Sequence, residues 1–247
     1  RTWALYLIEK GQSPKTLRRK LSSARTYFNF TQKKGHSPFN PAEKITLPKL
    51  ERNLPSFLKE DEIRQLLDGL SFEDNMEGKR DRCILELLYG CGLRRSELLG
   101  LGLEDIDLFA QKLKVKGKGG KERIIPFGRP AKAAIEVYLS ELHQRGYYDK
   151  SCLILRKNGL PAYPKLIYNV VYKYIGQVSS LKQKGPHVLR HTYATHMLDQ
   201  GADLNAIKEL LGHKSLASTQ VYTHNSIAKL KEVYQQAHPR ADKHHKQ

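Results

Sequence analysis

The stretch GLRRSELLGLGLEDIDLFAQKLKVKGKGGKERIIPF, residues 92–127, decides the fold class. Its opening reads as a loop entering a helix: Arg94-Arg95, then Ser96-Glu97-Leu98-Leu99 with a carboxylate in the first turn. After residue 105 the apolar period drops to two. Ile106-Asp107-Leu108, Leu113-Lys114-Val115 and Arg123-Ile124-Ile125 read as three short strands around a Gly-rich turn. A small antiparallel β-sheet is expected here.

On either side the pattern is helical. Lys59-Glu60-Asp61-Glu62 opens a helix over 59–70, and another covers 79–89. Beyond the strands, helices are expected near 131–144, 166–179, 186–200, 204–211 and 226–237. The chain is therefore mainly α with a small antiparallel β-sheet, an α+β fold.

The first fifty residues differ in character. A helix over 2–10 stops at Gly11, and a second starts after Ser13-Pro14, a cap followed by Pro at the first helical position. It runs to about residue 34. On it Leu17, Leu21, Ala24, Tyr27 and Phe28 recur at helical spacing and should face a core, while Lys15, Arg18, Arg19, Lys20 and Arg25 cover much of the rest. Two helices bury little surface, so this part reads as incomplete. The chain starts with Arg, which suggests a piece of a longer protein. Pro38 to Pro55 is too punctuated for a helix and reads as extended. The expected organisation is a partial helical domain over 1–50, a linker over 51–58, the main domain over 59–238, and a mobile basic tail over 239–247.

The 247 residues carry a formal net charge of +18, and half of it lies before residue 55, where 12 Lys and Arg face 3 acidic residues. Polyanions are the natural partners of such a chain. An anionic membrane surface would need a long amphipathic helix with a bulky apolar face, and none is evident, so nucleic acid is favoured. No stretch has the length of a membrane span. The three cysteines, Cys83, Cys91 and Cys152, lack metal-ligand spacing and read as thiols of a reducing, cytoplasmic protein.

Four short motifs and one tyrosine carry the chemistry. His187 and Arg190 lie three apart in the first turn of a helix after Gly185-Pro186, where backbone N–H groups favour a phosphate. Leu189, Tyr193 and Met197 take a different, apolar side. His187 and His191 also have zinc-ligand spacing. Val188 stands where a zinc protease needs Glu, and Arg190 would repel the ion. Lys118 sits in the turn between two strands, with Lys116, Lys121 and Arg123 near. That turn reads either as a hairpin kept soluble by charge or as a device carrying a lysine to DNA. Arg94 is either an ion-pair partner of Glu97 or a phosphate ligand that Glu97 orients. Gly212 ends a helix capped by Asp203, and His213 follows it. Ser215 can cap a short helix leading to Tyr222. The helix, Gly turn and helix there also fit a DNA-reading helix-turn-helix.

Taken together, Gly92-Leu93-Arg94-Arg95-Ser96-Glu97-Leu98, Gly117-Lys118-Gly119-Gly120-Lys121-Glu122-Arg123, His187-Val188-Leu189-Arg190-His191, Leu211-Gly212-His213 and Tyr222-Thr223-His224 resemble the tyrosine recombinases, or phage-integrase family, and within them the Xer branch. The resemblance covers nearly the whole chain, and the first part looks like two helices of the family's core-binding domain. It implies a recombinase that cleaves double-stranded DNA through a 3′-phosphotyrosyl intermediate, without ATP, metal or other cofactor. Tyr222 would be the nucleophile, Arg94, Arg190 and His213 the phosphate ligands, Lys118 the acid, and His187 the base or a phosphate ligand. Glu97 would support Arg94. Further DNA contacts are expected at Lys15, Arg18, Arg19, Arg25, Lys121 and Arg123. The resemblance also implies a homo- or hetero-tetramer on DNA with exchange of a C-terminal helix, for which Leu230, Val233 and Tyr234 are candidates. Packing of those residues within one chain fits the pattern equally. A DNA translocase as regulator, a nucleoid-associated cytoplasmic location and a role in chromosome-dimer resolution complete the implied picture. A mobile-element integrase, a type IB topoisomerase and a non-enzymatic DNA-binding regulator stand as alternatives.

Overall fold

The computed structural model describes residues 2–46, 56–117, 120, 122–147, 151–212 and 224–241, with side chains in the last stretch from Ala228 onward. The chain folds as two units, Arg1–Leu54 and Pro55–Gln247.

The first unit pairs α1 (Thr2–Glu9) with α2 (Pro14–Lys33). Ser13 caps α2 by accepting from the backbone N–H of Thr16, with Pro14 at the first position. The core of this unit is small: Ala4, Leu7, Leu17 and Leu21, with Ile45 against them. Tyr27 was expected inward and is 61% exposed. Trp3, Tyr6 and Phe30 are exposed as well. Two helices offer too little surface to cover all of their apolar residues.

In the second unit the helices are α3 (Glu60–Arg64), α4 (Met76–Gly90), α5 (Arg95–Leu99), α6 (Arg129–Gln144), α7 (Pro164–Val178), α8 (Pro186–Asp199), α9 (Leu204–Leu211) and α10 (His224–Ala237). A π-helical turn, Gln65–Gly69, continues α3. The central element is α4, buried along most of its length, charged Arg80, Asp81 and Glu86 included, and packed between α6 and α8. Asn75 caps it by accepting from the Gly78 N–H. A side chain at residue 78 would strike the Glu73 carbonyl, so only glycine fits.

The sheet forms where the period changes. It comprises β1 (Ile106–Asp107), β2 (Lys112–Lys116) and β3 (Glu122–Pro126), antiparallel in that order. Leu113 pairs with Ile125 and Val115 with Arg123, so these four side chains share the buried face while Lys114 and Lys116 point outward. No helix among the described residues is long and apolar enough to cross a membrane.

Two expected boundaries move. Leu58, at the end of the expected linker, is fully buried in the second unit. Its N–H donates to Thr192 Oγ1 at 3.0 Å, and its carbonyl meets His196 Nε2 at 2.9 Å. The start of the expected mobile tail is anchored too: Arg240 pairs with Asp68 and Glu86. His238 is fully buried against the rings of Tyr89, Tyr193 and Tyr234. Leu230 and Tyr234 pack inside this chain, and the Tyr234 hydroxyl accepts from the Gly128 N–H.

Candidate functional site

The site grows from the segment linking α4 to α5. Gly92 has φ of 59°, and a Cβ there would lie 2.9 Å from both Leu211 and Tyr193. Glycine alone permits that backbone and that approach. Two residues on, Arg94 stands just before α5, and Glu97 reaches back to accept the Arg94 N–H at 2.8 Å. The same carboxylate accepts from the Arg94 guanidinium at 2.7 Å. The predicted partnership of Arg94 and Glu97 is therefore present, and one carboxylate fixes both backbone and side chain.

Arg190 enters from the first turns of α8. Its Nη1 donates to the Gly92 carbonyl and its Nη2 to the Leu211 carbonyl. It also lies 3.7 Å from Glu97 Oε2. Burial, and then the Arg94 charge, pull the Arg190 pKa down to about 10, which leaves it cationic at neutral pH. Its neighbour His187 is exposed on the first turn of the same helix, whereas Leu189, Tyr193 and Met197 are buried as the spacing predicted.

The third wall is the C-terminal end of α9. Asp203 caps the helix start, accepting from the N–H groups of Asn205 and Ala206. Gly212 ends it in the left-handed conformation, φ 63°. Carbonyls at a helix C-terminus have no partner within the helix and carry partial negative charge. Here three arginines meet them: Arg123 at Leu210, Arg190 and Arg94 at Leu211, and Arg94 at Gly212. The next residue in sequence is His213.

Arg123 is reassigned by its surroundings. It was expected to touch DNA, yet it is only 4% exposed. Its Nη1 and Nη2 each donate to Glu97 at 2.9 Å, and its Nε to the Leu210 carbonyl at 2.8 Å. Burial pushes the Glu97 carboxyl up, but Arg123 and Arg94 outweigh it and hold the pKa at about 2. Strand alternation was the missed signal: with Ile125 inward, residue 123 must face inward too. Arg25 is likewise engaged within the protein. It donates to the carbonyls of Ala42, Glu43 and Ile45 and so ties down the turn after α2. Lys15 and Arg19 lie exposed on α2, with Arg18 and Lys20 partly exposed. Lys118, Lys121, His213 and Tyr222 lie outside the described residues.

Sequence reasoning also missed His196. His196 donates Nε2–H to the Leu58 carbonyl, so its Nδ1 accepts from the Tyr89 hydroxyl at 3.0 Å. His191 rests edge-on against Phe57. Among the described residues no group of three or more His, Cys, Asp or Glu side chains could hold a metal ion. The described tyrosines at 89, 138, 193 and 234 are fully buried, and burial pushes each phenol up. Buried in this way, none of the four can reach a partner in solvent.

A guanidinium pair from α5 and α8, set by a shared carboxylate beside a helix end, is suited to bind a tetrahedral anion. Residues 56–229 match the model of the phage integrase family. The chain belongs to that family. It is 39% identical to the tyrosine recombinase XerC of Chlorobaculum parvum over 96% of this chain and 76% of the relative. The corresponding figures for XerC of Staphylococcus haemolyticus are 40%, 100% and 82%. It is a site-specific tyrosine recombinase of the Xer type. Among solved structures, the XerH recombinase bound to a palindromic difH substrate shares the fold, with a TM-score of 0.71 at 24% identity, covering 94% of this chain and 70% of that one. The Tn1549 transposon integrase shares it at 0.70 and 21% identity, covering 94% and 83%.

Proposed function

We propose that this recombinase cleaves and rejoins double-stranded DNA through Tyr222, with the reacting phosphate held between Arg94 and Arg190. The observation that carries the reading is the convergence of those two guanidiniums on Glu97 and the C-terminal carbonyls of α9. A phosphodiester gains negative charge at its non-bridging oxygens as the nucleophile adds, and fixed guanidinium donors stabilise that charge most when they need no rearrangement. An entering phosphate replaces or shares the Leu211 and Gly212 carbonyls as acceptor for the Arg94 and Arg190 N–H groups.

The phenol oxygen of Tyr222 attacks phosphorus, the bond to the 5′-oxygen breaks, and a 3′-phosphotyrosyl link remains. A free tyrosine has a pKa of about 10, so only ~0.1% is ionised at pH 7, a deficit of roughly 4 kcal/mol. His187, on the exposed first turn of α8, takes up the phenol proton or orients the phosphate. Lys118 protonates the departing 5′-oxygen, and His213 donates to a non-bridging oxygen. Glu97 stays ionised and sets Arg94. The covalent link conserves the bond energy, so the 5′-hydroxyl of another strand reverses the step.

Strand exchange needs two duplexes and therefore several protomers. We place the protein on a DNA recombination site as a tetramer, homo- or heteromeric, with exchange of C-terminal segments, acting on the nucleoid in the cytoplasm under a DNA translocase. Likeness to XerC relatives over nearly the full chain favours chromosome-dimer resolution over mobile-element service. The test uses a synthetic duplex selected from a random-sequence pool by binding to the protein, then nicked so that cleavage is trapped. Denaturing electrophoresis should show a protein–DNA adduct that Tyr222→Phe abolishes. An adduct surviving that change places the nucleophile elsewhere. Lys118→Ala should slow cleavage, and a 5′-thio leaving group should restore it.

A further inference from the structure

Glu97 is 6% exposed, accepts from Arg94 and Arg123 and has Arg190 as an ion-pair neighbour, yet only Arg94 and Arg190 are read as phosphate ligands. The third needs an explanation. If Arg123 served only to add positive charge, its guanidinium would face the substrate. It does not: at 4% exposure it spends its Nε and both Nη atoms on Glu97 and Leu210.

We propose that Arg123 is a positioning residue for strand cleavage, setting Arg94 and Arg190 through Glu97 and fixing the end of α9 through Leu210. This rests on the reading of Arg94 and Arg190 as phosphate ligands. The geometry supports it at three points. First, the contact with Glu97 is a two-point fork, which fixes the carboxylate plane as well as its location. That plane aims Oε1 at the Arg94 guanidinium and Oε2 at the Arg94 N–H, with Arg190 3.7 Å from Oε2. Second, Arg123 Nε holds the Leu210 carbonyl, and Gly212 lies directly against its side chain. A Cβ at residue 212 would sit 3.1 Å from Arg123 Cδ and Nη1. The backbone that leads into His213 therefore rests on this guanidinium. Third, Arg123 stands on β3, five residues after Lys118, and its pairing with Val115 holds it on the buried face. One side chain thus ties the hairpin that carries Lys118 to the two helices bearing the phosphate ligands and to the helix end before His213.

The alternative is that Arg123 merely neutralises a buried carboxylate. The two differ in what Arg123→Lys does, since lysine keeps the charge and loses the fork. The experiment measures DNA affinity and single-turnover cleavage at saturating DNA on the nicked, binding-selected duplex, alongside thermal unfolding. A second duplex carries a methylphosphonate at the scissile position, where one charged oxygen is gone. Positioning predicts an Arg123→Lys protein that stays folded and binds DNA within about 3-fold of wild type, while cleavage falls about 100-fold, as expected for misplaced ligands. It further predicts that the methylphosphonate penalty shrinks in the variant, because poorly placed guanidiniums gain little from the missing charge. Glu97→Gln breaks the fork from the other side and should show the same split, which covers the case of an unfolded Arg123→Lys. Cleavage within twofold of wild type, or an unchanged methylphosphonate penalty in the folded variants, overturns the proposal. An adduct that persists in Tyr222→Phe overturns the site reading itself, and the proposal with it.

Discussion

Arg190 and Leu211 meet across the site, the guanidinium of the first donating to the main-chain carbonyl of the second, and Arg94 shares that same oxygen at 3.2 Å. The two cations proposed as phosphate ligands here grip the end of a helix. Replacing Arg190 with Gln should therefore act twice. Cleavage of the nicked duplex should fall about 100- to 1000-fold through the lost transition-state donor. Stability should fall by about 1–3 kcal/mol, because the Gly92 and Leu211 carbonyls lose a buried partner. Single-turnover kinetics and urea unfolding separate the two effects.

Stability should also decline in mild acid. Burial pulls His238 down to about 3, and burial lowers His196 as well. Both take up a proton more readily when unfolded, near pH 6.5, so their stabilisation is complete above that pH and fades below it. Between pH 6.5 and pH 5 one such group removes up to about 2 kcal/mol. Glu97, held at about 2, contributes fully above pH 4.5 and adds a separate loss between pH 4.5 and 2. Urea midpoints measured from pH 7 to pH 5 should drop in the wild type, and His238→Phe should flatten the slope by about one proton.

Arg240 is predicted to be among the most sensitive positions outside the site. Glu86 is fully buried, and burial pushes its carboxyl up, opposed chiefly by Arg240. Arg240→Met leaves that carboxylate without its ion-pair partner and should cost about 3–5 kcal/mol. The double replacement Arg240→Met with Glu86→Gln should recover much of the loss. Equal instability of the single and double variants would show that the partnership is not the cause.

The sequence revealed what depends on period and punctuation. The helices announce themselves by apolar spacing and by caps such as Ser13, Asp203 and Gly212, and the sheet by a switch to alternation after residue 105. The Arg94–Glu97 partnership follows from a three-residue spacing on one helix. The burial of Arg123 was readable only by giving strand alternation precedence over charge, and the basic setting of Lys116 and Lys121 argued for the opposite. The structural roles of Arg25, His196, His238 and Arg240 were invisible for another reason. Their partners, such as Glu86 for Arg240 and Leu58 for His196, lie far away in sequence and are chosen by packing.

The two-residue rhythm of β3 has a practical corollary for anyone redesigning this protein. Lys116 and Glu122 form the last paired rung, so the stretch between them can be lengthened or trimmed while the ladder below it keeps its phase. One residue inserted after Arg123, with Ile125 keeping its place opposite Leu113, would instead turn Arg123 outward and strip Glu97 of its fork. How far the hairpin reaches and how well the arginines are aimed are thus separate dials, adjustable one at a time.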